Sequence, residues 1–171
     1  FVTMISVYTI LGCLLFCFLV SSDNIFEKDT EPVKREPIVL LPGFASSRLM
    51  AWKLKTCGSG FNINIGDRVW LDASHVLYDS FREGCWSDCM MLNTENQTDP
   101  VDCKLRPVGS IEAISELDPG QITGPLSAIF RDIIDLLVGE YNYDTTSLAA
   151  APYDWRLPPK VLEERDRYFT A

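Results

Sequence analysis

Histidine is the scarcest reactive side chain here: His75 is the only one in 171 residues. The pentapeptide G-x-S-x-G is missing as well. On an α/β sheet that motif forms the sharp strand-to-helix turn that exposes a nucleophilic serine. Gly58-Ser59-Gly60 lacks its spacing, and Gly43-Phe44-Ala45-Ser46 misses it by one residue. A serine triad also needs an imidazole in hydrogen-bond reach of the nucleophile, oriented by a carboxylate. On such sheets the chain order is Ser, Asp, His, whereas His75 precedes most candidate acids and has no elbow serine upstream. These absences exclude a complete triad. His75, in DASHVLYDS, reads as a surface or partly buried imidazole.

Positive charge is short too. Fifteen Lys and Arg face 24 Asp and Glu, a net charge of -9, with no basic stripe. That excludes a nucleic-acid binder and leaves a solvated acidic surface. Cys85 and Cys89 have no second cysteine pair or histidine cluster at ligand spacing, which argues against zinc. No internal repeat is present. With nearly half its residues hydrophobic, the chain suits one globular domain with a sizeable core.

Residues 1–20, FVTMISVYTILGCLLFCFLV, carry no charge. The run is long enough to span a bilayer, and the small residues at Ser21-Ser22 also suit signal-peptide cleavage. Residues 1–22 therefore read as a signal peptide or a membrane anchor, and the initial Phe suggests an earlier start. Both readings place the remainder in the secretory pathway: the endoplasmic reticulum lumen or membrane, or outside the cell. Cys13 and Cys17 lie within the apolar run. That leaves Cys57, Cys85, Cys89 and Cys103, enough for two disulfides with three possible pairings. Asn96-Gln97-Thr98 is a glycosylation sequon consistent with that compartment.

Residues 23–36 are polar and read as a linker. Ile38–Leu41 is a short apolar run between prolines, expected as a buried strand ended by Pro42-Gly43. From about 50 to 110 the pattern is irregular, rich in Gly and Asn, and holds the four remaining cysteines. It reads as a stapled excursion rather than sheet core. Pro125 then suits a first helical turn. Leu126, Ile129, Phe130, Ile133, Leu136, Leu137 and Tyr141 predict one apolar helix face, ending at Gly139 or Asn142. Leu148–Ala151 is expected as the next strand, and VLEERDRYF after Pro158-Pro159 as a helix. The order favours an α/β fold with a parallel sheet. Asp154 and Arg156, bracketing Trp155, read as a structural ion pair at a strand end.

The collinear segments PIVLLPGFASSRLMAW, VWLD, CW, LDPGQITGPLS, APYDWRL and LEERDRYF resemble the lecithin:cholesterol acyltransferase family. The resemblance runs from Pro37 to the last residue and is strongest to its phospholipid:sterol acyltransferase branch. It implies that 37–171 is the N-terminal part of an α/β-hydrolase fold with a disulfide-stapled cap or membrane-binding excursion. The implied chemistry is transfer of a fatty acyl group from a phospholipid to a sterol or related lipid alcohol through an acyl-serine. No cofactor or metal is implied; the partners are phospholipid, lipid alcohol and a membrane surface. The alternatives are a phospholipase-type hydrolase, with water as acceptor, and a non-catalytic membrane-tethered lipid-binding module. The nucleophile, Asp and His would follow after Ala171, so these residues alone would be inactive.

Carried over by position, Phe44 would supply the first oxyanion-hole N–H. Cys57 and Cys85 would form the family's disulfide near the active-site mouth, leaving Cys89 to pair with Cys103. Trp70 and Trp86 would lie in the membrane-facing excursion, with a core role equally open. On this reading Ser46 and Ser47 are loop residues, not nucleophiles.

Overall fold

The computed structural model describes residues 35–57, 62–79 and 84–170. The signal or anchor segment, and the linker up to Lys34, lie outside the described residues. Among the described residues no helix is long and apolar enough to cross a membrane.

Two short apolar runs form the sheet that carries the Pro-Gly loop. Strand β1 (Ile38–Leu40) pairs in parallel with β5 (Leu148–Ala150), Ile38 opposite Leu148 and Leu40 opposite Ala150. Backbone bonds Ile38 N–H to Ser147 O (2.8 Å) and Ala151 N–H to Leu40 O (3.0 Å) extend the ladder. A parallel pair needs a crossover, and this one contains a second sheet. There β2 (Leu49–Ala51) lies antiparallel between β3 (Arg68–Trp70) and β4 (Leu105–Pro107).

The excursion is thus more ordered than its sequence pattern suggests. Leu49, Ala51, Ile63, Val69, Cys89, Cys103 and Leu105 form a buried cluster against which Trp70, Trp86, Met90 and Trp155 pack. Its strands are three residues each, too short to show alternation, and two core positions are disulfide cysteines. Helix α1 (Ala73–Asp79) follows β3, and α2 (Cys85–Met90) follows α1. Six residues make a helix too short to persist alone. Both ends of α2 are tied: Cys85 bonds to Cys57 and Cys89 to Cys103, with Cα separations of 5.9 and 5.4 Å. The Asp79 carboxylate caps its start, accepting from Trp86 N–H (2.8 Å) and Ser87 N–H (3.3 Å).

The single helix expected from Pro125 to about Tyr141 is instead broken. After α3 (Glu112–Ser115), α4 covers only Thr123–Leu126, and α5 begins at Arg131 and ends at Gly139. Long-range partners capture the backbone between them. Leu117 N–H donates to Ser127 O (3.0 Å), and Ile129 N–H donates to Ser115 O (2.9 Å). The Ser127 hydroxyl accepts from Asp118 N–H at 2.9 Å. These bonds replace the intrahelical ladder. Beyond Gly139, Asn142 adopts the left-handed conformation (φ 52°), a common helix exit. Helix α6 (Pro159–Asp166) starts with a proline at its first turn, as the sequence predicts.

Asp118, in the LDPG segment, braces the two residues that flank VWLD, Arg68 and Ala73. It is buried, accepts from Arg68 Nη2 at 2.9 Å, and caps α1 through Ala73 N–H at 3.1 Å.

Candidate active-site groove

Directly after β1, Pro42 is buried and the chain turns through Gly43-Phe44-Ala45-Ser46. Ser46 N–H donates to Gly43 O at 3.2 Å, closing a β-turn with Phe44 and Ala45 at its centre. Ala45 has φ 59°, the sign that a type II turn requires at that position. Three contacts fix the loop. Trp70 donates its indole N–H to Ala45 O (2.8 Å), and Trp155 donates to Ser47 O (3.3 Å). The buried Ser47 hydroxyl accepts from Tyr153 N–H at 3.2 Å. Ser46 donates its hydroxyl back to Phe44 O. Both serines are therefore engaged in shaping the turn.

The Phe44 N–H has no acceptor among the described residues. The Phe44 ring is 77% exposed and meets the edge of Trp155, with centroids 5.3 Å apart. Trp155 then packs on Trp70 at 4.8 Å, and Trp70 stacks on Trp86 at 6.3 Å. These aromatics wall one side of a groove of about 540 Å³, floored by Met90 and Leu92 and rimmed by Asn93, Thr94 and Gln97. That volume suits a small-molecule or lipid-sized ligand.

Trp70 and Trp86 are half-buried groove residues. Trp86 donates its indole N–H to Val69 O at 2.9 Å, so both indoles point into the fold. Among the described residues of the excursion, the exposed ring is Trp52, 62% exposed and sharing a small apolar hollow with Ile65 and Pro107. Sequence reasoning passed over Trp52 and Trp155. Trp155 lay in a recognised segment, but its contact with Phe44 depends on the β1–β5 pairing. Cys57–Cys85 and Cys89–Cys103 pair as the resemblance implied and hold α2, which carries Trp86 and Met90, against the groove. Asn96 is exposed on the 91–102 loop, its Oδ1 accepting from Thr98 N–H (3.1 Å) and hydroxyl (2.7 Å).

Behind the groove, the ion pair read from the sequence belongs to a network. Asp154, 0% exposed, accepts from Arg156 Nε and Nη2 at 2.8 Å each and from Arg165 Nη2 at 3.0 Å. Arg156 also donates to Asp99 at 2.9 Å, and Asp99 pairs with Arg106. Burial pushes the Asp154 carboxylate up, but the Arg156 hydrogen bond and charge, followed by Arg165, hold it below its usual range. His75 is buried on α1, with Nδ1 3.5 Å from Asp72, on the wall of a separate polar hollow lined by Arg48 and Arg68.

A sequence profile of the lecithin:cholesterol acyltransferase family matches residues 65–171. The chain belongs to that family. Its relatives in this acyltransferase family are enzymes of lipid acyl transfer by name. A phospholipid–sterol O-acyltransferase of Arabidopsis thaliana is 45% identical over 132 residues, covering 77% of this chain and 20% of that protein. A phospholipid:diacylglycerol acyltransferase of Schizosaccharomyces pombe is 31% identical over 134 residues, covering 78% and 20%. Its Saccharomyces cerevisiae counterpart is 27% identical over 139 residues, covering 80% and 20%. The chain thus spans about a fifth of the length of these relatives. Family membership implies an α/β-hydrolase-like fold, and the described residues supply mixed helices and sheets. Trp70, Trp86, Trp155 and Arg156 fall within the matched segment, and Phe44 and Cys57 precede it.

Proposed function

We propose that these residues form the oxyanion loop and lipid-binding wall of an O-acyltransferase. It moves a fatty acyl group from a phospholipid to a sterol or related lipid alcohol. The observation that carries this reading is the Phe44 N–H, held without an acceptor at the end of β1 and at the mouth of an aromatic groove. A main-chain donor aimed at developing negative charge is worth about 10²–10³ in rate.

In the proposed reaction a serine from outside these residues attacks the phospholipid ester carbonyl. The carbonyl oxygen becomes an oxyanion that accepts from Phe44 N–H. Collapse expels the lysophospholipid alkoxide, which takes up a proton, and leaves an acyl-serine. The lipid alcohol then attacks that ester, loses its proton and releases the serine. The groove shelters the apolar part of the donor, and Trp52 and Ile65 meet the lipid surface. The protein works in the secretory pathway.

The test is an assay of the full-length protein on vesicles of acyl-labelled phospholipid, with and without sterol. Label in sterol ester supports the reading. Release of free fatty acid alone, unchanged by sterol or diacylglycerol, makes water the acceptor and overturns the transferase assignment.

A further inference from the structure

The turn that carries the Phe44 N–H is held from the second sheet. Trp70 ends β3 opposite Leu49 of β2, and its indole N–H donates to Ala45 O at 2.8 Å. Among the described residues this is the one side-chain hydrogen bond from outside the turn to either central residue, Phe44 or Ala45. The grip falls where the turn is hardest to keep. Ala45 has φ 59°, the left-handed region that a type II turn normally gives to glycine and that alanine seldom occupies. Relaxation of Ala45 to negative φ would rotate the Phe44–Ala45 peptide, directly beside the Phe44 N–H. The indole itself is preset, because Trp70 packs on Trp155 at 4.8 Å and stacks on Trp86 at 6.3 Å.

We propose that Trp70 is a positioning residue for acyl transfer: its indole N–H holds Ala45 in the left-handed conformation and so keeps the Phe44 N–H aimed at the oxyanion. The inference rests on the oxyanion reading of Phe44 given above. Such a donor is most effective when it is fixed before charge develops, with no reorganisation left for the transition state. The nitrogen of Trp70 thus has a task separate from the apolar wall that its carbons supply to the groove. Trp155, donating to Ser47 O, braces the chain just beyond the central residues.

The test measures lysophospholipid release from phospholipid vesicles by the full-length protein. That product is common to sterol, diacylglycerol and water as acceptors. Two variants remove the indole N–H. One is Trp70→Phe; the other replaces Trp70 by benzothienylalanine, whose sulfur stands in for N–H in a ring system of nearly the same shape. Each is checked for native circular dichroism. In both, kcat should fall about tenfold, as loss of one hydrogen bond predicts, with KM within about twofold of wild type. With Ala45→Gly added, either variant should come within about threefold of Ala45→Gly alone, because glycine keeps a positive φ without the clamp. A folded variant with wild-type kcat overturns the assignment, whether its KM is raised or not. A tenfold loss that persists unchanged beside Ala45→Gly overturns it too. If the wild-type enzyme releases no lysophospholipid, the oxyanion reading itself fails, a result distinct from the other two.

Discussion

Ser47 and Tyr153 are joined across 106 residues by one hydrogen bond, Tyr153 N–H to the Ser47 hydroxyl at 3.2 Å. This bond, with the Trp155 indole on Ser47 O, ties the Pro-Gly loop to the segment after β5. Ser47→Ala leaves the Tyr153 N–H without its partner and should cost about 1–3 kcal/mol. Ser46→Ala removes only a local bond on a half-exposed residue and should stay within about 0.5 kcal/mol. Urea denaturation of the two variants checks the contrast. Equal losses would mean that the serines share one role.

The two disulfides close loops of 28 and 14 residues, and each holds one end of α2. Replacing Cys89 and Cys103 together by Ser should cost about 3 kcal/mol. Peptide mapping without reduction should recover Cys57 with Cys85 and Cys89 with Cys103. Recovery of Cys85 with Cys89 would contradict the fold, because it frees both ends of α2.

Acid stability should depend on Asp154. Its folded-state pKa lies below the ordinary 3.8, so its contribution is complete above that value. It is lost as pH falls through the lower, folded-state value. Asp154→Asn leaves Arg156 with Asp99 alone and Arg165 with Asp166 alone as carboxylate partners, and should cost about 3–5 kcal/mol at neutral pH. The variant should also lose less further stability than wild type on acidification. Urea midpoints across the acid range measure both effects.

Asn96 is exposed, and its side chain already engages Thr98. Expressed in a eukaryotic secretory host, the protein should lose one glycan's mass on peptide-N-glycosidase treatment. Thr98→Ala should abolish that shift. An unmodified Asn96 in secreted protein would count against the site.

The sequence made some of this legible. The apolar runs at Ile38 and Leu148 are strands, and Pro158-Pro159 opens a helix, because short-range chemistry decides those elements. The break at Ser127–Phe130 was not legible. An unbroken 3.6-residue pattern cannot reveal that Ser115 and Leu117 claim its backbone from another part of the chain. The excursion hid its sheet because strands of three residues carry no period. At the site, the sequence pointed to Phe44 through the resemblance alone. The indole clamps on Ala45 and Ser47 need the tertiary structure.

The most direct test replaces Phe44 by Pro and, separately, by Ala in the full-length protein. Phe44 occupies the turn position where proline is favoured, so Phe44→Pro removes the N–H and keeps the turn. Phe44→Ala removes the exposed ring and keeps the N–H. Acyl transfer from labelled phospholipid to sterol should then fall about 10²–10³-fold in kcat for Phe44→Pro. Phe44→Ala should keep kcat within about tenfold of wild type. A folded Phe44→Pro enzyme that retains wild-type kcat would contradict the oxyanion assignment.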